Sequence, residues 1–483
     1  MANTTHTMLT VTSPDYKDML PQVRLTVACS EGGYSMKRGY REDKLAGSAI
    51  RGNSYSGGQE LLPMPNPSDK SEENRKRYAM YKERAVVVEM TKRTKESLVG
   101  AATRKNNTVE LPASIDYLET NVDNTGLTLE SQYKQTLETG MDQGTLGLFV
   151  DIPSSGSASA ADIANGVRAN IKLYDFINIL SSAYSVIDNK EVLSYVLLRE
   201  CVTVRNDLTV ESEYQYRKLE LIEGFYVHTL LDDTFAAKEE PITPTDAGGN
   251  KLKEIPFYPI GAQNNTLKRL DPPLLLGIAE LNVGQYRNSA DVEENAYMSS
   301  QSTNFIFVED SGTFKENNPE GLLLGAGAVN TLGEKDKFEM HQAKEGNLSN
   351  TLQLEKIKAA ISMGAQLIME GGPQETAEAV RTKSAASSAS LSSLADNSEM
   401  AYVKAISMCE QLMSRTVSET VFTVNKDFID TSLTPEQVKN WLEISVLGKA
   451  SNEMFVTAMV KGGVFPEGTK AEDIRGSVEV AGD

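Results

Sequence analysis

Cysteine is nearly absent from the 483-residue chain: Cys29, Cys201 and Cys409 stand far apart and odd in number. Such isolated thiols argue against a disulfide framework and provide no Cys-x-x-Cys metal site, so the chain is expected to fold in a reducing cytoplasm. Histidine is as scarce, at His6, His228 and His341, with no His-Glu-x-x-His pair and no His/Cys cluster to hold zinc. No uncharged apolar run reaches the roughly 18 residues needed to span a bilayer. The opening Met1-Ala2-Asn3 leads into no basic region followed by an apolar stretch, so no secretory signal is expected. A Gly-x-x-x-x-Gly-Lys-Ser/Thr phosphate loop and a Gly-x-Ser-x-Gly elbow are both missing, which removes a packaging ATPase and an esterase-type nucleophile.

Positive charge is also in deficit. With 67 acidic and 48 basic residues the net charge is −19, so most of the surface should repel a phosphate backbone. That balance suits a channel wall past which DNA slides as well as it suits an ordinary acidic protein. The charge is uneven: Lys70 to Lys105 holds 11 basic and 5 acidic residues, which leaves −25 on the rest. The plain reading of that run is a solvated helix face.

What is present fits two or three soluble domains, with 40% apolar and 24% charged residues. Residues 1–68 are rich in Gly, Ser, Asn and Pro and read as an extended, flexible arm. A charged helix is expected from about Asp69 to Thr103. Residues 144–153 read as a buried strand stopped by Pro153, and Ser154 to Ala161 as a flexible linker. Val192–Leu198 is a second strand, and Tyr214–Leu230, which alternates in places, is strand-like. Ile255–Ile260 carries two prolines and belongs at a sheet edge. Residues 150–260 therefore read as mixed α+β.

Asp271-Pro272 then starts a helix, a cap followed by proline in the first turn, that should run to about Ser299. From Asn282 onward it is small and polar on most faces, unlike a buried core helix. Residues 304–345 form a β-rich, glycine-rich excursion. A second helix begins near Ser349, with Leu354, Ile357, Ile361, Gly364 and Ile368 at heptad-like spacing, and Gly371-Gly372-Pro373 breaks it. A third starts near Thr376 and carries Leu391, Leu394, Ala401, Ala405, Met408 and Leu412, interrupted by Ser398 and Glu399. Thr434-Pro435 starts a terminal helical segment around Trp441, Leu442 and Val446.

No catalytic constellation assembles. Gly325-Ala326-Gly327 begins a dinucleotide-like pattern, but Asn330 stands where the third glycine belongs. Acidic residues gather at Asp232-Asp233 and at Asp291, Glu293 and Glu294. Neighbours on a helix point about 100° apart, so Glu293 and Glu294 do not readily chelate one ion, and a solvated acidic face is expected.

The order of mixed α+β region, helix, β-rich excursion, helix, glycine-proline break, long helix and helical tail is similar to that of portal proteins of tailed bacteriophages. Local stretches resemble one branch of them. They include Arg168 with Leu173-Tyr174-Asp175-Phe176-Ile177-Asn178, and Val196-Leu197-Leu198-Arg199-Glu200. The strongest is Ile255-Pro256-Phe257-Tyr258-Pro259-Ile260, followed by Asp271-Pro272-Pro273-Leu274-Leu275, Ala279-Glu280-Leu281-Asn282 and Tyr286-Arg287-Asn288-Ser289-Ala290-Asp291. Glu375-Thr376-Ala377-Glu378-Ala379-Val380-Arg381 is a further match, and the likeness spans about residues 110–420.

The resemblance implies an α+β portal fold. Its parts would be an arm at 1–68, a wing domain at 69–271, stem helices at 272–299 and 349–370, a clip at 300–348, a tunnel loop at 371–376, a long wing helix and strand at 377–430, and a helical crown at 431–483. It implies a ring of about twelve copies at one capsid vertex. Such a ring, assembled in the host cytoplasm and carried in the virion, would conduct double-stranded DNA non-specifically during packaging and ejection. Its partners would be the large terminase, adaptor or tail proteins, and the major capsid and scaffolding proteins, with no membrane. Channel-facing residues would be Gly371, Gly372, Pro373, Gln374, Glu375, Thr376, Arg381 and Lys383. Partner docking would use Phe305, Phe307, Leu322, Leu324 and Phe338 of the clip, whose strands are short enough that pairing between subunits is expected. No enzyme activity, catalytic residue, metal or cofactor is expected. The competing readings are an acidic metal-dependent nuclease or transferase, and another ring-forming head-tail adaptor.

Overall fold

The computed structural model describes residues 8–38, 61–152, 166–300, 303–308, 310–317, 337–341, 348–363, 377–416, 418–426, 428, 435–446, 451–461, 464–465 and 469. The chain divides into two compact units, residues 1–100 with 106–424, and residues 101–105 with 425–483. Both helices and antiparallel sheets build the first unit, so the mixed α+β class read from the sequence holds.

The N-terminal segment departs most from expectation. After a single turn, α1 (Met8–Val11), much of the supposed flexible arm between residues 14 and 38 is helical: α2 spans Pro14–Glu31 and α3 Gly33–Arg38. Ser13 caps α2 by accepting from the Tyr16 amide at 3.2 Å, and Pro14 occupies the first turn, where its missing N–H costs nothing. Helix α2 ties two cores together. Tyr16, Leu20 and Val23 pack with Phe176, Leu180, Leu197 and Tyr216, and the Tyr16 ring stacks on Phe176 at 4.9 Å. Further along, Leu25, Ala28 and Cys29 join Tyr78, Tyr81, Val283 and Tyr286. Leu61 and Leu62, also assigned to the arm, are buried in this second cluster, and Tyr78 Oη donates to the Leu62 carbonyl at 2.5 Å.

The single helix expected over 69–103 is two. Helix α4 (Glu72–Arg84), capped by Ser71, ends at Ala85, and α5 (Met90–Ala102) begins after a short non-helical connection. Three consecutive β-branched residues, Val86-Val87-Val88, separate them, which disfavours helix. Strand β1 (Thr108–Glu110) follows, then α6 (Leu129–Gln143), β2 (Thr145–Asp151), β3 (Asn170–Asp175), β4 (Ile179–Ile187), β5 (Lys190–Asn206), β6 (Thr209–Ile222), β7 (Phe225–Leu231) and β8 (Phe257–Gly261).

Strand β2 is buried at every residue and lies between β3 and β8, antiparallel to both. Proline-bearing β8 is at the edge, as its sequence requires. A second sheet is the antiparallel meander β4-β5-β6-β7. The strand-like stretch Tyr214–Leu230 is two strands, β6 and β7, turning at Glu223-Gly224, both at positive φ (52° and 81°), the backbone of a tight hairpin.

The remainder runs α7 (Leu276–Ser300), β9 (Thr303–Phe307), α8 (Ser311–Asn317), β10 (Lys337–His341), α9 (Leu348–Ser362), α10 (Ala377–Met413) and β11 (Val421–Thr423), which pairs with β1. Helix α10 covers β2, β8 and α6, and all six apolar positions anticipated on it, from Leu391 to Leu412, are buried. Ser398 does not interrupt that stripe: it is buried too, its hydroxyl returned to the Leu394 carbonyl at 2.7 Å. In the second unit, α11 (Pro435–Val446) packs on α12 (Asn452–Lys461).

Where the two sheets of the first unit meet, charge is buried. Glu200 accepts from Tyr174 Oη (2.6 Å), Gln215 Nε2 (2.7 Å) and Arg217 Nε (2.8 Å), while Asp151 faces Lys172 at 3.0 Å and Arg217 at 3.6 Å. Burial alone would raise the Glu200 carboxyl, but Arg217 and the three donors outweigh it and hold it at about 2. Because that value lies below the unfolded one, the contribution is complete above about pH 4.3 and is lost as pH falls towards the folded value, amounting to about 3 kcal/mol. Glu200→Gln should therefore lower urea stability at pH 7, and the deficit should shrink by pH 3. An equal deficit at both pH values would exclude this role.

The α6–β2 junction carries a steric constraint. Gly144 sits at φ +77°, and a Cβ there would collide with the carbonyls of Asp271 and Pro272. Gly144→Ala should cost about 2 kcal/mol or more, read from the urea midpoint.

Candidate functional site

The helix pair α7 and α9, with the β excursion between them, is the site the sequence order singled out. Gly277 of α7 faces Met363 and Gly284 faces Lys356, so the second helix runs antiparallel to the first. A Cβ on either glycine would lie 2.6 Å from the facing side chain, which is why the small residues recur seven apart on this face. Lys356 Nζ continues across to Asn288 Oδ1 at 2.7 Å. On α9, Ile357 and Ala360 are buried. Leu354, counted above in a heptad stripe, is 40% exposed, and Gly364 and Ile368 lie outside the described residues.

Part of the polar surface of α7, read above as unlike that of a buried core helix, is buried. Asn282, Gln285 and Ser289, spaced three and four residues apart, share one face and are all buried. They bond to the backbone of the connection between α4 and α5 and of the first turn of α5. Ser289 Oγ accepts from the Val86 amide (2.9 Å), Gln285 Oε1 from the Val88 amide (3.0 Å) and Asn282 Oδ1 from the Thr91 amide (3.2 Å). In return, Gln285 Nε2 donates to the Val86 carbonyl at 3.3 Å and Asn282 Nδ2 to the Val88 carbonyl at 2.8 Å. A helix face thus does what a neighbouring strand would do, satisfying backbone groups that no sheet reaches. These three residues are therefore not exposed to solvent. Their spacing was the available signal, since carboxamides at helical spacing offer a donor and an acceptor each.

The acidic end of α7 is engaged within the chain, although Asp291 stays exposed as the sequence reading has it. Asp291 Oδ1 accepts from Tyr81 Oη at 2.6 Å, and Glu294 pairs with Arg77 at 3.2 Å and with Arg84, whose guanidinium lies 4.1 Å over the Tyr297 ring. Burial and the two carboxylates push the Tyr81 phenol up. Lys95 reaches Asp142 at 2.8 Å. Three basic residues of the 70–105 segment, Arg77, Arg84 and Lys95, are thereby paired with two carboxylates from elsewhere in the chain, Glu294 and Asp142. Asp232, in the other acidic group, closes a local turn by accepting from the Thr234 and Ala236 amides at 2.9 Å. Among the described residues no three His, Cys, Asp or Glu side chains converge to hold a metal ion. No described helix is long and apolar enough to cross a membrane.

In the excursion, β9 pairs antiparallel with β10 of the same chain, Thr303 opposite His341 and Phe307 opposite Lys337. Phe305–Phe307 thus have a partner strand within the chain. Phe307 is 53% exposed. Phe305 and Phe338 sit on these two strands, facing Glu339 and Ile306 in the register. Leu322, Leu324, the incomplete glycine motif Gly325–Asn330 and the whole loop Gly371–Thr376 lie outside the described residues. Arg381 and Lys383 lie in the first turns of α10.

A family model described as a domain of unknown function (DUF4055) matches residues 273–413. Those bounds nearly coincide with the start of α7 and the end of α10. No curated protein matches the chain. Among solved structures, the neck of a native GTA particle computed with C12 symmetry is similar at 12% identity and TM-score 0.41, covering 78% of this chain and 90% of that chain. The virion of a native gene transfer agent particle gives 12% identity, the same coverages and TM-score 0.43.

Asn282→Ala should leave the Thr91 amide and the Val88 carbonyl unsatisfied, at about 2–4 kcal/mol for the two groups. Urea unfolding measures the loss, and limited proteolysis should show new cleavage between residues 85 and 91. An unchanged midpoint and cleavage pattern would count against the ladder's role.

Proposed function

We propose that this chain is the subunit of a portal ring that conducts double-stranded DNA at one vertex of a phage-like particle. The observation that carries the reading is the element order. A helix leaves the sheet-bearing domain, a β excursion follows it, an antiparallel helix returns alongside, and a 37-residue helix packs back over the sheet. This is the arrangement implied by the resemblance in the sequence of residues 110–420, and the matched family model is confined to it. On this reading α7 and α9 are the stem, residues 300–348 the clip, Gly371–Thr376 the tunnel loop, and about twelve copies close the ring. Terminase and adaptor proteins dock on the clip through its exposed apolar residues, Phe307 among them. The role is mechanical rather than catalytic.

The purified full chain should form rings with a central hole in negative stain, and should turn over neither ATP nor DNA. A stable monomer at micromolar concentration, or intrinsic ATP or DNA hydrolysis, would count decisively against it. Arg381→Glu with Lys383→Glu should leave the ring intact while changing packaging or DNA retention. Normal packaging and retention by the double variant would remove these two residues from the channel.

A further inference from the structure

The meander β4-β5-β6-β7 is not equally wide along its length. Strand β4 pairs with β5 only as far as Leu198, and β7 pairs with β6 only from Tyr216 onward. Beyond those points β5 and β6 continue together, from Arg199–Tyr216 to Asn206–Thr209, as a two-stranded ribbon with no described strand on either flank. Its side chains are largely in solvent: Val202 is 37% exposed, Val210 67% and Leu208, at the tip, 89%.

An isolated two-stranded ribbon is marginally stable in water, and an open edge is a template for another strand. Natural edges are usually blunted by lysine, proline or a bulge. None of these protects Cys201–Glu213, which holds no Lys and no Pro and keeps an unshifted register throughout. It carries β-branched residues instead, at Val202, Thr203, Val204, Thr209 and Val210.

The two edges also differ in charge. Along Cys201–Asn206 the one charged residue is Arg205, whose Nε bonds the Asp207 carbonyl at 2.9 Å, whereas Val210–Glu213 bears Glu211 and Glu213. Pairing like edges would set carboxylates against carboxylates or arginine against arginine. Pairing β6 of one copy with β5 of the next sets opposite charges together, which cross-strand energetics favour. That pairing is antiparallel automatically, because β5 and β6 already run in opposite directions in every copy. It is also head-to-tail, the type of contact that closes rotationally related copies into a ring.

We infer that the β5–β6 ribbon is a subunit-joining element, and that its occupant is the ribbon of a neighbouring copy, added edge to edge as a continuing antiparallel sheet. The inference rests on the ring reading above and names one of its contacts.

Hydrogen exchange measured on monomer and ring fractions of the full chain, separated by size, tests it. Amides of residues 201–206 and 210–213 should exchange at least about tenfold more slowly in the ring, since a second set of edge bonds forms only there. Glu211→Arg with Glu213→Arg should shift the ring to dissociate at lower salt or higher dilution, and adding Arg205→Glu should restore it. A chain that remains monomeric overturns the ring reading and this inference with it. A ring whose ribbon exchanges as fast as the monomer's, or whose dissociation ignores the charge reversal, overturns the inference alone.

Discussion

Buried backbone needs partners, and in this protein one helix supplies them where no strand is available. The chain between α4 and α5 runs past α7 with its amides and carbonyls turned inward. Out of contact with water, each unsatisfied group there would cost about as much as a lost hydrogen bond. Asn282, Gln285 and Ser289 meet that requirement in succession along one helix face. Much else follows from it. The two helices α4 and α5 are set at fixed places on α7, and the arginines of α4 come within reach of Glu294. Tyr81 is brought to Asp291. The remaining faces of α7 are free for α2 on one side and α9 on another.

This arrangement changes how the charge of the chain is understood. A segment with an excess of six basic residues in an acidic protein invites the idea of a nucleic-acid surface. In the fold, Arg77, Arg84 and Lys95 are directed at acidic side chains of the same chain. Partly buried pairs of this kind fix geometry more than they add net stability.

Regular elements with strong apolar patterning were legible in the sequence. The six buried positions of α10 and the fully buried β2 were placed correctly, because a continuous stripe or run leaves one arrangement that removes it from water. Proline put β8 at an edge for a reason local to that strand. Helix α2 was missed although Ser13-Pro14-Asp15 is a capping sequence, since the surrounding Gly, Ser and Asn content dominated the reading. The break at residues 85–89 was hidden because its partner lies about two hundred residues further on. Polar residues of α7 were read as facing water for the same reason: periodicity identifies a face, but not what covers it. Of the candidate site, the helix–excursion–helix order was visible, whereas the pairing of β9 with β10 was not, being set by two strands some thirty residues apart.

The glycines of α7 have a mechanical consequence. With Gly277 and Gly284 turned to α9, the two helix axes approach closely and α9 side chains lie directly on the backbone of α7. Rods in continuous lateral contact resist bending together far better than the same rods held apart, because neither can flex without shearing past its neighbour. The root of α7 is clamped as well: Asp271 accepts from the Gln263 and Asn264 amides at 2.7 and 2.8 Å, and its own amide donates to Thr145. A load applied at the β9–β10 end is thus carried as compression along a stiff strut and delivered to β2 at the centre of its sheet.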